Sequence, residues 1–352
     1  MNKFIDTISR WLLTAIIALI ASVSIFAQGV PSPEKGKLPP TPSPIPRTRV
    51  ETSPPAWPRA PRGEVSEKSI KTDPSVNVWI PCVSGGSVKV TGWNRNEVRV
   101  YIDSGNTFNF TVQEKNSASG DPVWIKVSGV QPKGRRGPVS ECIWGEDIEI
   151  DVPVGASVNL KGQEIGTRVD TIRKAEIKVV GGNISLRNIA NGVGAYSGQG
   201  DITVEASQGS ISLESTTGNI LVFEAGPSEI ADWFKAKTNG GAISLQGVGH
   251  RQVDVNSISG SVNFSGNIRT GGSYSLRTSR GSIRMAIPAA SSSQISATYG
   301  YGTFRSEIPI DIATENVSPG AIKTIVGTFG KGGDSIIRLA SNNGSIVITK
   351  MP

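Results

Sequence analysis

His250 is the only histidine among 352 residues. A Ser-His-Asp triad would have to use it as the base, and no site with two histidine ligands can form. It lies in GVGHRQV, a Gly-rich stretch between two strand-like segments, and is expected to face solvent in a turn. Cys82 and Cys142 are the only cysteines, too few for a four-cysteine zinc site or a disulfide-dense scaffold. Pairing with each other and survival as two separate buried thiols both stay open at this level. Arg284 and Arg305 occupy equivalent outward positions of two repeats whose leading glycines are Gly281 and Gly302. In a stacked rod these arginines of consecutive units are expected to be neighbours about 5 Å apart, able to clamp a carboxylate or phosphate, or else solvated side chains relieved by nearby acids. Lys133, Arg135 and Arg136 in QPKGRRGP form a basic loop suited to an anionic polymer. Asp201 and Asp254 stand singly between apolar neighbours, unlike the clustered oxygen ligands of a Ca²⁺ site. No catalytic, cofactor-binding or metal-binding set emerges, and the chain reads as a non-enzyme.

What must position these residues is a repeat. The unit is Gly, any residue, Ile or Val, any residue, and a large apolar residue: GNISL from Gly182, GDITV from Gly200, GSISL from Gly209, GNILV from Gly218 and GAISL from Gly241. GSVNF from Gly260, GSIRM from Gly281 and GSIVI from Gly344 continue it, and GTFRS from Gly302 is a degraded copy. Side chains alternate faces along a strand, so Ile184 and Leu186 point one way while Asn183 and Ser185 point the other. Each leading Gly is expected to end a turn at positive φ. A second alternating strand precedes most of these glycines, as in VDVNSISG and YSLRTSRG. A unit of two short strands cannot bury its apolar face alone, but a stack of such units can. The pattern predicts an all-β fold, a single-handed β-helix-like solenoid over residues 173–352 with about eight coils and a narrow aliphatic interior. A β-sandwich with irregular hairpins is the alternative.

Residues 76–172 are also strand-like but lack regular repeats, and are expected to form an N-terminal β capping region over an open solenoid end. Four of the seven tryptophans, Trp79, Trp93, Trp124 and Trp144, fall there. They are read as packing residues, with an exposed platform for sugar rings as the alternative. Two interruptions stand out. GPSEIADWF, Gly226 to Phe234, is an insertion whose Pro227, Glu229 and Asp232 suit the first turn of a helix, and Glu307 to Gly333 breaks the last interval.

The N-terminus sets location. Lys3 and Arg10 precede the uncharged, mostly apolar run Trp11 to Phe26, and Ala27 follows before the chain turns polar at Gln28. Residues 1–27 have the layout of a secretory signal peptide. The alternative is an uncleaved anchor, for which the run is short of the roughly 20 residues a bilayer core needs. Residues 28–75 are a proline-rich linker. Val30 to Arg62 holds 11 of the 22 prolines, too poor in backbone donors and apolar side chains to build a core. The linker is expected to be a disordered tether with polyproline II bias. Within Val30 to Arg62, six basic residues against two acidic ones carry more than half of the net charge of +7. They are not interleaved with stacking aromatics, so nucleic acid is not the expected partner.

GSVKVTGWNRNEVRV, then IEIDVPVGASVNL, then serial G-x-I-x-L units resembles a bacterial putative-adhesin family of exported β-strand-repeat proteins. The resemblance covers residues 86–348. It implies a β-solenoid on the outer side of a membrane and brings no catalytic residues. The expected function is therefore an exported, periplasmic, cell-surface or secreted protein that presents a surface for adhesion or envelope interaction. Its expected partner is an envelope polymer or surface molecule, without cofactors. The rival readings are an envelope-stress accessory binding a peptide or lipid, and a polysaccharide-active β-helix enzyme. The latter is disfavoured because outward strand positions carry Ser, Thr, Asn and Arg with few carboxylates.

Overall fold

The computed structural model describes residues 65–113, 123–130, 141–318, 320 and 322–351. The export segment, the proline-rich stretch from Val30 to Arg62 and the basic loop with Lys133, Arg135 and Arg136 lie outside the described residues. Among the described residues every regular element is a strand. After β1 (Ser66–Lys71), β2 (Asn77–Val83) and β3 (Ser87–Trp93) form a first coil, and β4 (Glu97–Asp103) and β5 (Phe108–Gln113) follow singly. The next coils pair β6 (Trp124–Gly129) with β7 (Asp147–Pro153), β8 (Ser157–Gly162) with β9 (Gly166–Asp170), β10 (Lys174–Gly181) with β11 (Ile184–Arg187), and β12 (Val193–Gln199) with β13 (Ile202–Gln208). Then come β14 (Ile211–Thr217) with β15 (Ile220–Gly226), β16 (Trp233–Thr238) with β17 (Ile243–Gln246), β18 (Gln252–Ser257) with β19 (Val262–Ser265), and β20 (Ser273–Arg280) with β21 (Ile283–Ile287). β22 (Ser293–Tyr301) and β23 (Phe304–Ser306) make another coil, β24 (Asp311–Asn316) and β25 (Lys323–Phe329) an antiparallel pair, and β26 (Ile336–Asn343) and β27 (Ile346–Lys350) the last coil.

Each coil gives its first strand to a 14-stranded sheet, sheet B, and its second to a 13-stranded sheet, sheet A. Coil upon coil, the strands run parallel and in register, so the repeat is a β-solenoid. The eight coils expected over residues 173–352 are present. Three more, β2 with β3, β6 with β7 and β8 with β9, carry the stack into the region expected to be only a cap. The described residues thus hold eleven coils, roughly 50 Å of stack at about 4.8 Å per coil. Ile184, Ile202, Ile220, Ile243, Val262, Ile283 and Ile346 line one buried column of the interior, each from the strand next to the last. Burial of such a row is possible only because each coil covers its neighbour.

The leading glycines are needed for a reason beyond the one expected. Gly182, Gly200, Gly209 and Gly302 have positive φ, as expected, but Gly218, Gly241, Gly260, Gly281 and Gly344 do not. What all share is crowding by the next coil: a Cβ on Gly241 would stand 2.0 Å from the Gly218 carbonyl oxygen, and one on Gly344 would stand 1.9 Å from that of Gly281. No side chain fits that approach. Beside this column runs a ladder of buried hydroxyls, each donating to one of these carbonyls: Ser197 to Gly182, Ser215 to Gly200, Thr238 to Gly218, Ser257 to Gly241, Thr278 to Gly260 and Ser341 to Gly281, at 2.8–3.0 Å. Buried polar groups so paired fix the corner at little cost.

Coil order departs from chain order at both ends. β26 and β27 slot between the coil of β20 and β21 and that of β22 and β23. At the other end, β2 and β3 slot between the coil of β6 and β7 and that of β8 and β9. A disulfide joins Cys82 and Cys142, with Cα atoms 4.5 Å apart. It lies where Ile143 N donates to Cys82 O at 3.0 Å, and so pins the early coil to the later one beside it. Antiparallel strands close the stack edges, β4 and β1 on sheet A, β5 at one end of sheet B, and β25 and β24 at the other. The Glu307–Gly333 interruption is thus largely this last pair. The Gly226–Phe234 insertion makes no helix: Ser228 N donates to Ala231 O at 2.9 Å, and the alternating run W-F-K-A-K-T enters β16 at once.

Candidate functional site, the outer face of sheet B

The strand period decides which side chains face out. In β2, Val78 and Ile80 are buried, which turns Trp79 between them to the surface; in β6, Ile125 and Val127 do the same for Trp124; in β16, buried Phe234 leaves Trp233 outside. These tryptophans are 37%, 39% and 41% exposed, too open for the packing role expected of Trp79 and Trp124. Trp144 is exposed as well. Apolar rings of this size on outward positions of a regular sheet are the surface feature that asks for a ligand.

Two open grooves lie on this face. The first, about 520 Å³, is lined by Trp124, Asn77, Ser157, Asn159, Lys174 and Glu176, with Arg173 beside it. Arg173 is held in place, donating from Nε to Gly155 O at 2.9 Å and from Nη2 to Ser157 Oγ at 2.6 Å. The second, about 440 Å³, is lined by Trp233, Lys235, Gln252, Asp254, Ser273 and Arg277. Lys126 Nζ sits 5.2 Å from the Trp79 ring centre and pairs with Glu141 at 2.6 Å, so one face of that ring is taken.

On the outward positions of sheet B from β8 to β26, the carboxylates Glu176, Glu214 and Asp254 are engaged by Lys178, Lys237 and Arg277 at 3.5, 3.1 and 2.9 Å. Lys161, Lys174, Lys235 and Arg338 face out with no acid partner among the described residues. Sheet A is mixed: Asp147, Glu149 and Asp151 all project from β7, where Arg99 is spent on Asp151, Glu149 and Glu67, while Arg168, Arg284 and Arg305 face out from other strands.

The other residues singled out from sequence are placed differently. Arg284 and Arg305 are both exposed but are not neighbours: Arg284 pairs in register with Val347, and Val347 with Arg305. The intercalated last coil separates them by two strand spacings, about 10 Å. Asp201 does not stand alone. Its Oδ1 accepts from Asn219 N at 2.7 Å, in a turn ladder where Asn183 Oδ1 accepts from Asp201 N and Asn219 Oδ1 from Ala242 N.

His250 is buried, not solvent-facing. Its Nε2–H donates to Gly209 O at 2.7 Å, its ring lies 5.8 Å from that of Phe234, and Nδ1 is buried with no partner. Burial pushes its pKa down from the usual value, helped by the Arg269 charge and opposed by the Gly209 bond and Asp232. Asp232 itself is desolvated, but the bonds from Arg251 N and Nε at 2.7 and 2.6 Å outweigh this and hold its carboxyl below the usual range. A lowered histidine value means that the unfolded chain takes up the proton first, so the stability His250 contributes is complete above pH 6.5 and falls as pH drops below it. His250→Gln, which retains an N–H for Gly209 O, is expected to lose that dependence. Urea unfolding at pH 7.5 and pH 5 checks this: parallel losses in parent and variant would assign the titration elsewhere.

A family model described as Toastrack DUF4097 matches residues 69–349. No curated protein matches the chain. Among solved structures, the chain is similar to a putative adhesin from Bacteroides fragilis, 14% identical over 82% of this chain and 97% of that one, with a TM-score of 0.36. It is also similar to a putative cell adhesion protein from Clostridium sporogenes, 11% identical over 82% and 100% with a TM-score of 0.22. A putative adhesin from Parabacteroides distasonis is 11% identical over 81% and 97% with a TM-score of 0.28.

Proposed function

The chain belongs to the Toastrack DUF4097 family, and on that footing we propose that it is an exported, non-enzymatic protein whose solenoid displays a binding surface for adhesion or cell-envelope interaction. Residues 1–27 direct export, and the proline-rich stretch from Val30 to Arg62 holds the solenoid away from the membrane; the C-terminal part of the linker expected over residues 28–75 is instead β1 of sheet A. The reading is carried by one observation: large aromatic side chains at outward positions of an otherwise hydrophilic, regularly stacked sheet. A stack of near-identical coils gives a stiff surface with little ordering to lose on binding. Its acids fit this role better than catalysis. Glu176, Glu214 and Asp254 are held in ion pairs, and Asp232 is kept ionised by Arg251, the reverse of a general acid with a raised pKa. Fractionation of cells with N-terminal sequencing of the full-length product is expected to place the protein outside the cytoplasmic membrane and to retain it on washed envelopes. Recovery in the cytosol, or release of reducing ends from polysaccharides by the purified protein, would overturn the proposal.

A further inference from the structure

The two grooves on sheet B repeat one chemistry. Each joins a tryptophan face, a lysine without an acid partner and hydroxyl and amide side chains: Trp124 with Lys174, Ser157 and Asn77 in one, and Trp233 with Lys235, Ser273 and Gln252 in the other. They also share a register. From Trp124, the column passes in register through Asn77, Ser157 and Lys174. It continues one residue before the paired starts of β12, β14 and β16, through Gly192, which is buried beside Lys174 and Ser210, and through Ser210 to Trp233. Six strand spacings separate the two rings, about 29 Å. Apart from Lys174, the residues between them are small or polar, so the floor from one ring to the other carries no bulky apolar obstacle. At the neighbouring column, Glu176 folds over Gly194 and is tied to Lys178, which keeps that carboxylate engaged.

From this we propose that the outer face of sheet B is a linear track for an acidic polysaccharide lying across the strands, with sugar rings on Trp124 and Trp233 and the polymer's anionic groups on Lys174 and Lys235. The proposal rests on the surface-binding reading above and names its ligand class. Stacked rings supply apolar contact to the faces of sugars, hydroxyl and amide side chains exchange hydrogen bonds with sugar hydroxyls, and the free lysines confer selection for charge. The charge density fits a polymer of this kind better than a nucleic acid. A nucleic-acid strand carries one phosphate per about 3.4 Å, so about ten would lie over the seven spacings from β8 to β26, against Lys161, Lys174, Lys235, Arg280 and Arg338, the five exposed cations in the strands of that span without an acid partner among the described residues. The carboxylates of Glu176 and Asp254 at the two groove walls would further repel so dense an anion, whereas a polysaccharide with a uronic acid only on alternate sugars, such as hyaluronate, can avoid them; polygalacturonate and alginate, charged on every sugar, bracket the denser end.

Titration of the full-length protein with polygalacturonate, alginate and hyaluronate tests the assignment, with tryptophan fluorescence and calorimetry as readouts. At least one of these polymers is expected to bind, with affinity rising with chain length until a chain spans both grooves and falling with added salt. Trp124→Ala and Trp233→Ala are each expected to weaken long-chain binding at least ten-fold while short oligomers still occupy the other groove. Lys174→Glu with Lys235→Glu is expected to abolish the preference for the acidic polymer over its methyl-esterified form. All four positions are surface-exposed, so the variants should fold, and far-ultraviolet circular dichroism verifies it. Failure of all three polymers to bind, equal binding of parent and variants, equal binding of the esterified polymer, or preference for poly-dT or phosphatidylglycerol vesicles would each overturn the inference. Retention on washed cell envelopes, measured in parallel, separates the two levels: a parent protein that is retained there but ignores the polymers refutes the ligand class alone, whereas one that is not retained refutes the surface-binding reading with it.

Discussion

Ile243→Asp is expected to break the solenoid in its middle. The side chain is fully buried, in register between Ile220 of β15 and Val262 of β19. Removing it forfeits about 2–3 kcal/mol of apolar burial, and an ionised carboxylate in its place costs several kcal/mol more. Together these approach the whole stability of an ordinary domain, about 5–15 kcal/mol. Because each coil is held chiefly by its neighbours, loss of one removes support from the coils on both sides. Ser244→Asp moves the same charge one residue along the strand and onto the outer face, and is expected to stay within about 0.5 kcal/mol of the parent. Thermal unfolding of the pair decides the matter. A parent-like melting temperature for the Ile243 variant would mean that the interior column is not the source of cohesion.

Loss of the Cys82–Cys142 disulfide is the second large effect expected. The bond closes a segment with a sequence separation of 60 residues, for which the loop-closure relation gives about 4 kcal/mol, or a melting shift on the order of 10 °C for a body of this size. The position gives the bond a further task. β2 and β3 come earlier in the chain than β6 and β7, yet sit further into the stack, and the disulfide ties the two coils where they exchange order. Without it, the end coils are expected to open before the centre, with faster amide exchange in β2 and β6 than in β12 and β14. Reduction of the parent and the double Cys→Ser variant should agree, and unchanged unfolding in both would refute the estimate. A pair of this kind forms and persists in an oxidising compartment, which agrees with the proposed export.

The interior was legible in the sequence because a strand has only two faces. G-x-I-x-L repeated mostly at intervals of 18 to 23 residues is hidden most simply by stacking, with the Ile and Leu positions inward, and the structure adopts that solution rather than the β-sandwich alternative. The same alternation also contained the site: Val78 and Ile80 turn Trp79 outward, and Phe234 does so for Trp233. Tryptophan's size argued for packing and masked that signal. Coil order was not legible. GSIRM, GTFRS and GSIVI are interchangeable as ladder partners, since each offers the same backbone bonds and an apolar column of similar size, so local pattern carries no record of which lies beside which. The distance between Arg284 and Arg305 depends on this order, and their expected adjacency fails for that reason.

The sequence by itself determined the solenoid class, the inward and outward faces of each strand, and the need for glycine at the coil corners, although at Gly218, Gly241, Gly260, Gly281 and Gly344 the cause is the neighbouring coil's carbonyl rather than φ. Only the tertiary structure decided the coil order at the two ends, the burial of His250 against Gly209 O, and the alignment of Trp124 with Trp233 in one column. The physical reason is common to these: face and period are properties of one strand, whereas adjacency is a property of a pair, and near-identical coils pair equally well with several partners until the connecting segments and the disulfide choose among them.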